Sequence, residues 1–399
     1  MIKPGNIITP TVWMISLVSL FTDFASEMLY PVMPVYLQHI GFSILLIGIL
    51  EGVAEATAGL SKSYFGRLSD NSGKRLPFVQ IGYFLSAVSK PMMAMLTNVW
   101  WIFFARTTDR LGKGIRTGAR DALLSDEATP QTKATVFGYH RSMDTWGAVM
   151  GPAAAWIFLF FFPQQYKTLF LVAFIPGLTA VIITRFIKEK KDNHVIEKKT
   201  PSLLESFRYW RKSPVVYRRL LTGLLIFALF NSSDIFLLLK IKESGYTDTQ
   251  VVGLYIFYNL VFAMFAFPVG RYADKIGLKK VFLVGLLLFT LTYTGFAINT
   301  NHYIYFFLFI FYGLYAASTE GVAKAWISNI ADKKDIATAI GTYSGFQSIA
   351  ALLASSIAGL LWFKIGSTAT FLITAGATIL SIFYLLSFSA KQNEKILQD

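Results

Sequence analysis

The chain has no cysteine, which excludes disulfides, thiol catalysis and thiolate metal sites. Histidine is nearly as scarce: His39, His140, His194 and His302 are too scattered for a spaced metal motif. Charge is scarce too. Only 15% of residues are Asp, Glu, Lys or Arg, where a soluble chain carries about a quarter. No G-x-x-x-x-G-K-[ST] occurs, since Gly73-Lys74 runs into Arg75; ATP-driven pumping by this chain is therefore not expected. No catalytic constellation, cofactor motif or metal site is expected either. What fills the space is apolar: 54% of the 399 residues are hydrophobic and 16% aromatic, and the mean hydropathy is +0.51.

Apolar runs long enough to span a bilayer follow one another along the whole chain, which marks a polytopic all-α membrane protein. The formal charge of +14 is not a nucleic-acid signature. The bases cluster in short segments between apolar runs, as the positive-inside rule requires. Residues 185–219 hold eleven Lys/Arg against four Asp/Glu, so this central linker is expected to be cytoplasmic, and both termini with it. Within it, Ser202-Leu203-Leu204-Glu205 resembles a capping box. Leu203, Phe207 and Trp210 share a face flanked by Arg208, Arg211 and Lys212, the pattern of a short helix lying on the inner leaflet. The run after Pro10 continues too far, with Asp23 and Glu27 inside it, to be a signal peptide. Twelve spans are expected, near 11–37, 44–64, 77–97, from 99, 136–160, 167–186, 218–239, 249–269, 280–297, 303–327, 338–362 and 368–389.

The rare charges inside these spans are the functional candidates, because a charge at depth is costly and normally faces a bundle interior or a wet cavity. Asp23 lies roughly 18 Å into the first span by the helical rise. Glu27 sits one turn beyond it, and Pro31 and Pro34 should bend the outer half. The second span repeats the device with Glu51 and Glu55. The third holds Lys90, too deep for its stem to snorkel. The fourth carries Arg106, Asp109, Arg110 and Lys113, with Arg110 about 15 Å in. The fifth contains His140, Arg141 and Asp144; Asp144 is a candidate partner for an arginine of span four. The second half is sparser: Asn231, Ser232, Ser233 and Asp234 in span seven, Glu320 and Lys324 one turn apart in span ten, and Gln347 in span eleven. No aromatic residue stands out as a binding platform.

Two internal matches imply a duplication. Gly66, Arg67, Asp70 and Gly73 reappear as Gly270, Arg271, Asp274 and Gly277, an offset of 204. At an offset of 203, residues 121–138 match 324–341 without a gap, including Ala134/Ala337, Thr135/Thr338 and Gly138/Gly341. Such repeats are the sequence mark of many transporters.

The segment Gly66–Arg75, GRLSDNSGKR, resembles the signature loop of the major facilitator superfamily, and Gly270–Lys280 its weaker second copy. Arg106-x-x-Asp109-Arg110-x-Gly112-x-Gly114 resembles the family's fourth-helix motif, with Asp109 in place of a Gln and Arg110 in place of a Gly. Gly147-x-x-x-Gly151-Pro152 resembles the fifth-helix motif associated with antiporters, although Ala155 and Trp156 stand where its closing glycine pair would be. The resemblance implies twelve transmembrane helices in two pseudo-symmetric six-helix bundles: residues 1–186, a linker at 187–217, and residues 218–399 with a short cytoplasmic tail. It implies alternating access and function as a monomer in a bacterial inner membrane.

On this reading Asp23, Glu27, Glu51 and Glu55 are the proton-coupling candidates. Lys90, Arg106, Arg110, Lys113, Asp234 and Gln347 are the substrate contacts. Gly66, Arg67, Asp70, Gly73, Arg75, Gly270, Arg271, Asp274, Asp144, Gly151 and Pro152 belong to the gates. The expected partners are a small-molecule substrate, protons and the lipid bilayer. The leading expectation is proton-coupled export of an organic compound. Proton-coupled uptake of an anionic metabolite, or of a metal chelate such as a siderophore, is the alternative. A non-transporting membrane receptor or lipid-handling protein is the alternative of another class.

Overall fold

The protein is described from a computed structural model, for residues 7–30, 32–189, 202, 205–299 and 301–387. Pro31, most of the basic stretch at 190–201, Leu203 and Leu204 of the capping box, and the C-terminal tail lie outside the described residues. Every regular element among the described residues is helical. In order they are α1 (Pro10–Leu29), α2 (Met33–His39), α3 (Ile44–Ser72), α4 (Leu76–Met95), α5 (Val99–Asp126), α6 (Lys133–Phe161) and α7 (Tyr166–Thr184). Then come α8 (Glu205–Lys212), α9 (Val215–Ala228), α10 (Ile235–Glu243), α11 (Asp248–Ile276), α12 (Leu278–Ile298), α13 (His302–Ile330) and α14 (Ile336–Ser387).

The helix starts follow local chemistry. Thr9 accepts from the Val12 amide with Pro10 in the first turn, Ser43 from Leu46, Asn98 from Trp100 and Asn301 from Tyr303. Thr247 and Gln250 form a full capping box. Among the described residues seven helices are long and apolar enough to cross a membrane: α1, α6, α7, α11, α12, α13 and α14. The last is bent at Gly366 (φ +87°) and supplies two crossings. With α3, α4, α5 and the α9–α10 pair, twelve crossings result. Helices of 29 residues, such as α3, α6, α11 and α13, reach about 44 Å and outrun a hydrocarbon core of roughly 30 Å.

Two local differences from the sequence expectation matter. The signature segment at 66–75 is not a loop: α3 runs through Asp70 to Ser72, and the turn begins at Gly73 with φ +62°, where glycine carries no Cβ penalty. Span seven is not one helix. It stops at Ala228 and restarts at Ile235. The intervening Asn231, Ser232, Ser233 and Asp234 favour bonds from side chain to backbone over the helical ladder, and the Ser233 hydroxyl takes the Ile235 amide at 3.4 Å.

Contacts group the chain into two compact units. The first comprises Met1–Thr129, Tyr139–Tyr209 and Asp332–Gly345; the second comprises Pro130–Gly138, Trp210–Ala331 and Phe346–Asp399. In the first unit, close helix approach depends on missing side chains. A Cβ on Gly82 would lie 2.6 Å from the Gly112 carbonyl, and one on Gly112 would lie 2.6 Å from that of Gly82, so α4 and α5 touch backbone to backbone. A core of Met28, Leu37, Met93, Ile102 and Phe170 closes one end. In the second unit Phe289, Tyr293, Phe296, Tyr305 and Phe309 are fully buried. The rings left exposed, among them Trp100, Phe104, Phe160, Phe306 and Phe307, are those a hydrocarbon phase would cover.

Candidate functional site

The first unit carries a bank of charges across α3, α4 and α5. The spacing of Arg106, Asp109, Arg110 and Lys113 puts them on adjoining turns of α5. Glu51 and Glu55 of α3 stand opposite. Arg106 grips Glu51 with both forks, Nε and Nη2 each at 2.8 Å, the bidentate geometry that suits a guanidinium. Arg110 reaches Glu51 and Glu55, both at 3.7 Å. Lys90 is 4% exposed; it lies 3.0 Å from Asp109 and 3.2 Å from the Ser26 hydroxyl of α1. Arg106 closes the chain onto Asp109 at 3.5 Å. A small pocket at this point is lined by Ser26, Ser89, Lys90, Arg106 and Asp109, with Met33 and Met93. Lys113 differs from the rest: it is exposed and has no carboxylate within ion-pair distance among the described residues.

Asp109 is the substitution in the fourth-helix motif, and the structure supplies its reason. It is the carboxylate that balances a buried lysine, which a Gln could not do. Lys90, Arg106 and Arg110 are thus already matched to neighbouring acids.

The acids of α1 are placed differently. The antiporter-like glycines of α6 pack directly on them. A Cβ on Gly147 would fall 2.5 Å from the Leu20 carbonyl and 3.1 Å from the Asp23 Cβ, and one on Gly151 would fall 2.7 Å from the Met28 amide. This contact brings the carboxyls of Asp144 of α6 and Asp23 side by side. Asp144 also takes the Ser19 hydroxyl and the Arg141 guanidinium, both at 2.5 Å. Its ion pair is therefore with its own helix. The span-four arginine on its other side, Arg120, lies 3.4 Å from Ser19 and pairs with Asp121. Among the described residues no Lys or Arg lies within ion-pair distance of Asp23 or Glu27. Two carboxyls placed side by side favour a proton on one of them.

In the second unit Asp234 stands at the gap between α9 and α10. Tyr258 of α11 and Tyr312 of α13 both donate their hydroxyls to it. Neither tyrosine was legible as functional in the sequence, because a span-facing ring has no periodicity that separates it from packing. Gln347 is half-buried and makes no hydrogen bond to Asp234.

The duplicated segments meet in the same geometry twice. In the first unit Asp70 accepts from the Ala337 amide (3.3 Å), the Thr338 amide (2.8 Å) and the Thr338 hydroxyl (2.6 Å). In the second, Asp274 accepts from the Ala134 amide (2.9 Å), the Thr135 amide (2.6 Å) and the Thr135 hydroxyl (2.6 Å). Each acid thus caps the start of a helix, α14 or α6. A Cβ on Gly66 would meet the Ala337 carbonyl at 2.6 Å, and one on Gly270 the Ala134 carbonyl at 2.3 Å. The first copy is reinforced: Arg67 pairs with Asp335, and Arg75 with Asp126 and, at 3.5 Å, with Asp70. Arg271 of the second copy is exposed. Burial holds Asp70 up at about 6, against the opposing pull of Arg75 and of the Thr338 bonds.

Among the described residues no three His, Cys, Asp or Glu side chains gather as a metal would require.

The family pattern matches along nearly the whole chain, at residues 15–258 and 238–397, as Major Facilitator Superfamily. The chain belongs to the major facilitator superfamily. An uncharacterised MFS-type transporter of Methanocaldococcus jannaschii is 31% identical over 388 residues, covering 95% of each chain. The quinolone resistance protein NorA of Staphylococcus aureus is 25% identical over 226 residues, 55% of this chain and 56% of its own length. Among solved structures, the human organic anion transporter MFSD10 superposes with a TM-score of 0.81 at 17% identity, over 96% of this chain and 100% of its own. The superfamily transporter FucP does so with a TM-score of 0.78 at 13% identity, over 96% and 99%. At these identities the structural likeness speaks for the fold, which is that of a superfamily transporter with twelve helices. The chain is an integral membrane protein and a secondary transporter of a small molecule.

Proposed function

We propose that this superfamily member is a proton-coupled exporter of an organic compound, working by alternating access as a monomer in a bacterial inner membrane with both termini cytoplasmic. The observation that carries the reading is the Asp23–Asp144 contact. A half-buried acid deep in α1 faces a second carboxyl instead of a cation, so the pair stores one proton. Gly147 and Gly151, the antiporter-like glycines, are what let α6 come close enough to make it. Releasing that proton to one side and taking one from the other is how a carboxyl site couples a gradient to transport. Glu51 and Glu55 are matched to Arg106 and Arg110, and serve the arrangement of α3 and α5 instead. The two Asp–helix caps are the contacts that opening must break, which makes Asp70 and Asp274 gating residues, with 1–186 and 218–399 as the two bundles.

The uptake of an anion is less well supported. It rests on Lys90, Arg106, Arg110 and Lys113, and all of these but Lys113 pair with neighbouring acids. NorA, a quinolone resistance protein, favours export of an organic compound.

The test is accumulation by purified protein in proteoliposomes under an imposed pH gradient, across a panel of quinolones and lipophilic amines. Wild type should concentrate at least one compound against its gradient. Asp23→Asn should still exchange it down a gradient but no longer concentrate it. Accumulation by Asp23→Asn equal to wild type would remove the coupling role, and no flux of any kind would favour a receptor.

A further inference from the structure

The second unit holds an acid that nothing balances. Asp234 sits where α9 has ended and α10 has not begun, half-buried, beside the exposed Ser233. Its side-chain partners are the hydroxyls of Tyr258 and Tyr312, and among the described residues no Lys or Arg lies within ion-pair distance of it. Two phenols occupy two of the roughly four acceptor positions of a carboxylate and leave the others open. Close by, Asn231 spends its amide on the Tyr315 hydroxyl at 2.9 Å, and its Oδ1 is buried with no hydrogen-bond partner. The break thus presents two kinds of oxygen acceptor and no cation.

The walls are aromatic. The ring of Tyr258 lies 5.2 Å from that of Tyr312, and Tyr312 lies 5.4 Å from Tyr315. Tyr255 extends the row at 5.5 Å from Tyr258. All three anchoring tyrosines are nearly buried, at 6%, 3% and 5% exposure, so their rings are fixed by packing and cost little to organise. A carboxylate in such a setting favours any cation that can reach it. Ring faces add attraction for a large, weakly hydrated cation.

We propose that the gap between α9 and α10 is a binding seat for a lipophilic organic cation, with Asp234 as the counter-charge and Tyr258, Tyr312 and Tyr315 as the aromatic wall. This names the substrate class and rests on the transport reading above, but binding can be measured without transport.

The probe is tetraphenylphosphonium, a hydrophobic aromatic cation, with tetraphenylborate as its anion of like shape. Equilibrium binding is measured on purified protein in detergent, with folding checked by size exclusion. Wild type should bind tetraphenylphosphonium saturably and discriminate against tetraphenylborate. Asp234→Asn should weaken tetraphenylphosphonium at least tenfold, and Asp234→Glu should retain most of the affinity. Tyr312→Phe keeps the ring and should bind within a few-fold of wild type, whereas Tyr312→Leu should lose about as much as Asp234→Asn. These Tyr312 variants decide the matter if Asp234→Asn does not fold. The proposal is overturned if wild type shows no saturable binding, if tetraphenylborate binds equally well, if sodium displaces the probe at equimolar concentration, or if Asp234→Asn binds within twofold of wild type. If binding behaves as expected but proteoliposomes show no flux, the seat stands and the transport reading falls.

Discussion

Asp70 shows how one residue can tie pH to a conformational contact. Its ordinary value of 3.8 rises to about 6 where it caps α14, because burial penalises the charge more than Arg75 and Thr338 favour it. The docked acid therefore holds its proton more tightly than a hydrated one. Docking is strongest below pH 4 and weakens as pH rises towards 6, by about 3 kcal/mol in all. A cysteine at Ser69, buried beside it, should react with a maleimide faster at pH 7 than at pH 5, relative to an exposed control cysteine at Lys74. Asp70→Asn should abolish that pH dependence. It should also slow cycling, since its oxygen can take the two Thr338 bonds only by turning its NH2 onto the Ala337 amide that the other carboxylate oxygen accepts; a charge-assisted bond of this kind is worth roughly 1.5–3 kcal/mol. A reactivity ratio that does not change with pH would remove the titration from the gate. The importance of Asp70 was legible because its motif recurs at Asp274. Which helix start it caps was not, because pairing an acid with Thr338, 268 residues away, is a property of packing, not of either segment alone.

At the scale of elements, the glycines decide which helices may touch. Gly147 lets α6 lie on α1, and a methyl there collides with the Leu20 carbonyl at 2.5 Å, a backbone atom that cannot rotate aside. Gly147→Ala should lower the midpoint of thermal unfolding by several degrees and Gly147→Leu should abolish folding, read by size exclusion and dye-free thermal melts. Gly253 has open space around its Cβ position, so Gly253→Ala should be neutral. Equal effects at the two positions would contradict the packing account. The twelve spans could be placed from hydropathy and charge alone, since a bilayer demands long apolar helices. The gap in span seven could not. Asn231, Ser232, Ser233 and Asp234 read as polar residues inside a span, and only the structure shows the backbone leaving the helix there and tyrosines of α11 and α13 closing on the acid. Counting charges points Asp144 at an arginine of span four; Arg120 stands near it, while the ion pair itself is made by Arg141 three residues back.

For the whole molecule, orientation and proton storage are the properties on which the proposed coupling depends. The absence of native cysteine makes topology directly measurable. A single cysteine at Asn193 should resist an impermeant reagent added to intact cells and react once the membrane is opened; labelling from outside would invert the orientation. The central claim is that the Asp23–Asp144 pair holds a proton, and infrared spectroscopy of the purified protein at pH 7 tests it most directly. Wild type should show a protonated-carboxyl C=O stretch that shifts down in heavy water, and the band should vanish in both Asp23→Asn and Asp144→Asn. A spectrum without that band, or one in which either variant leaves it unchanged, would contradict the account.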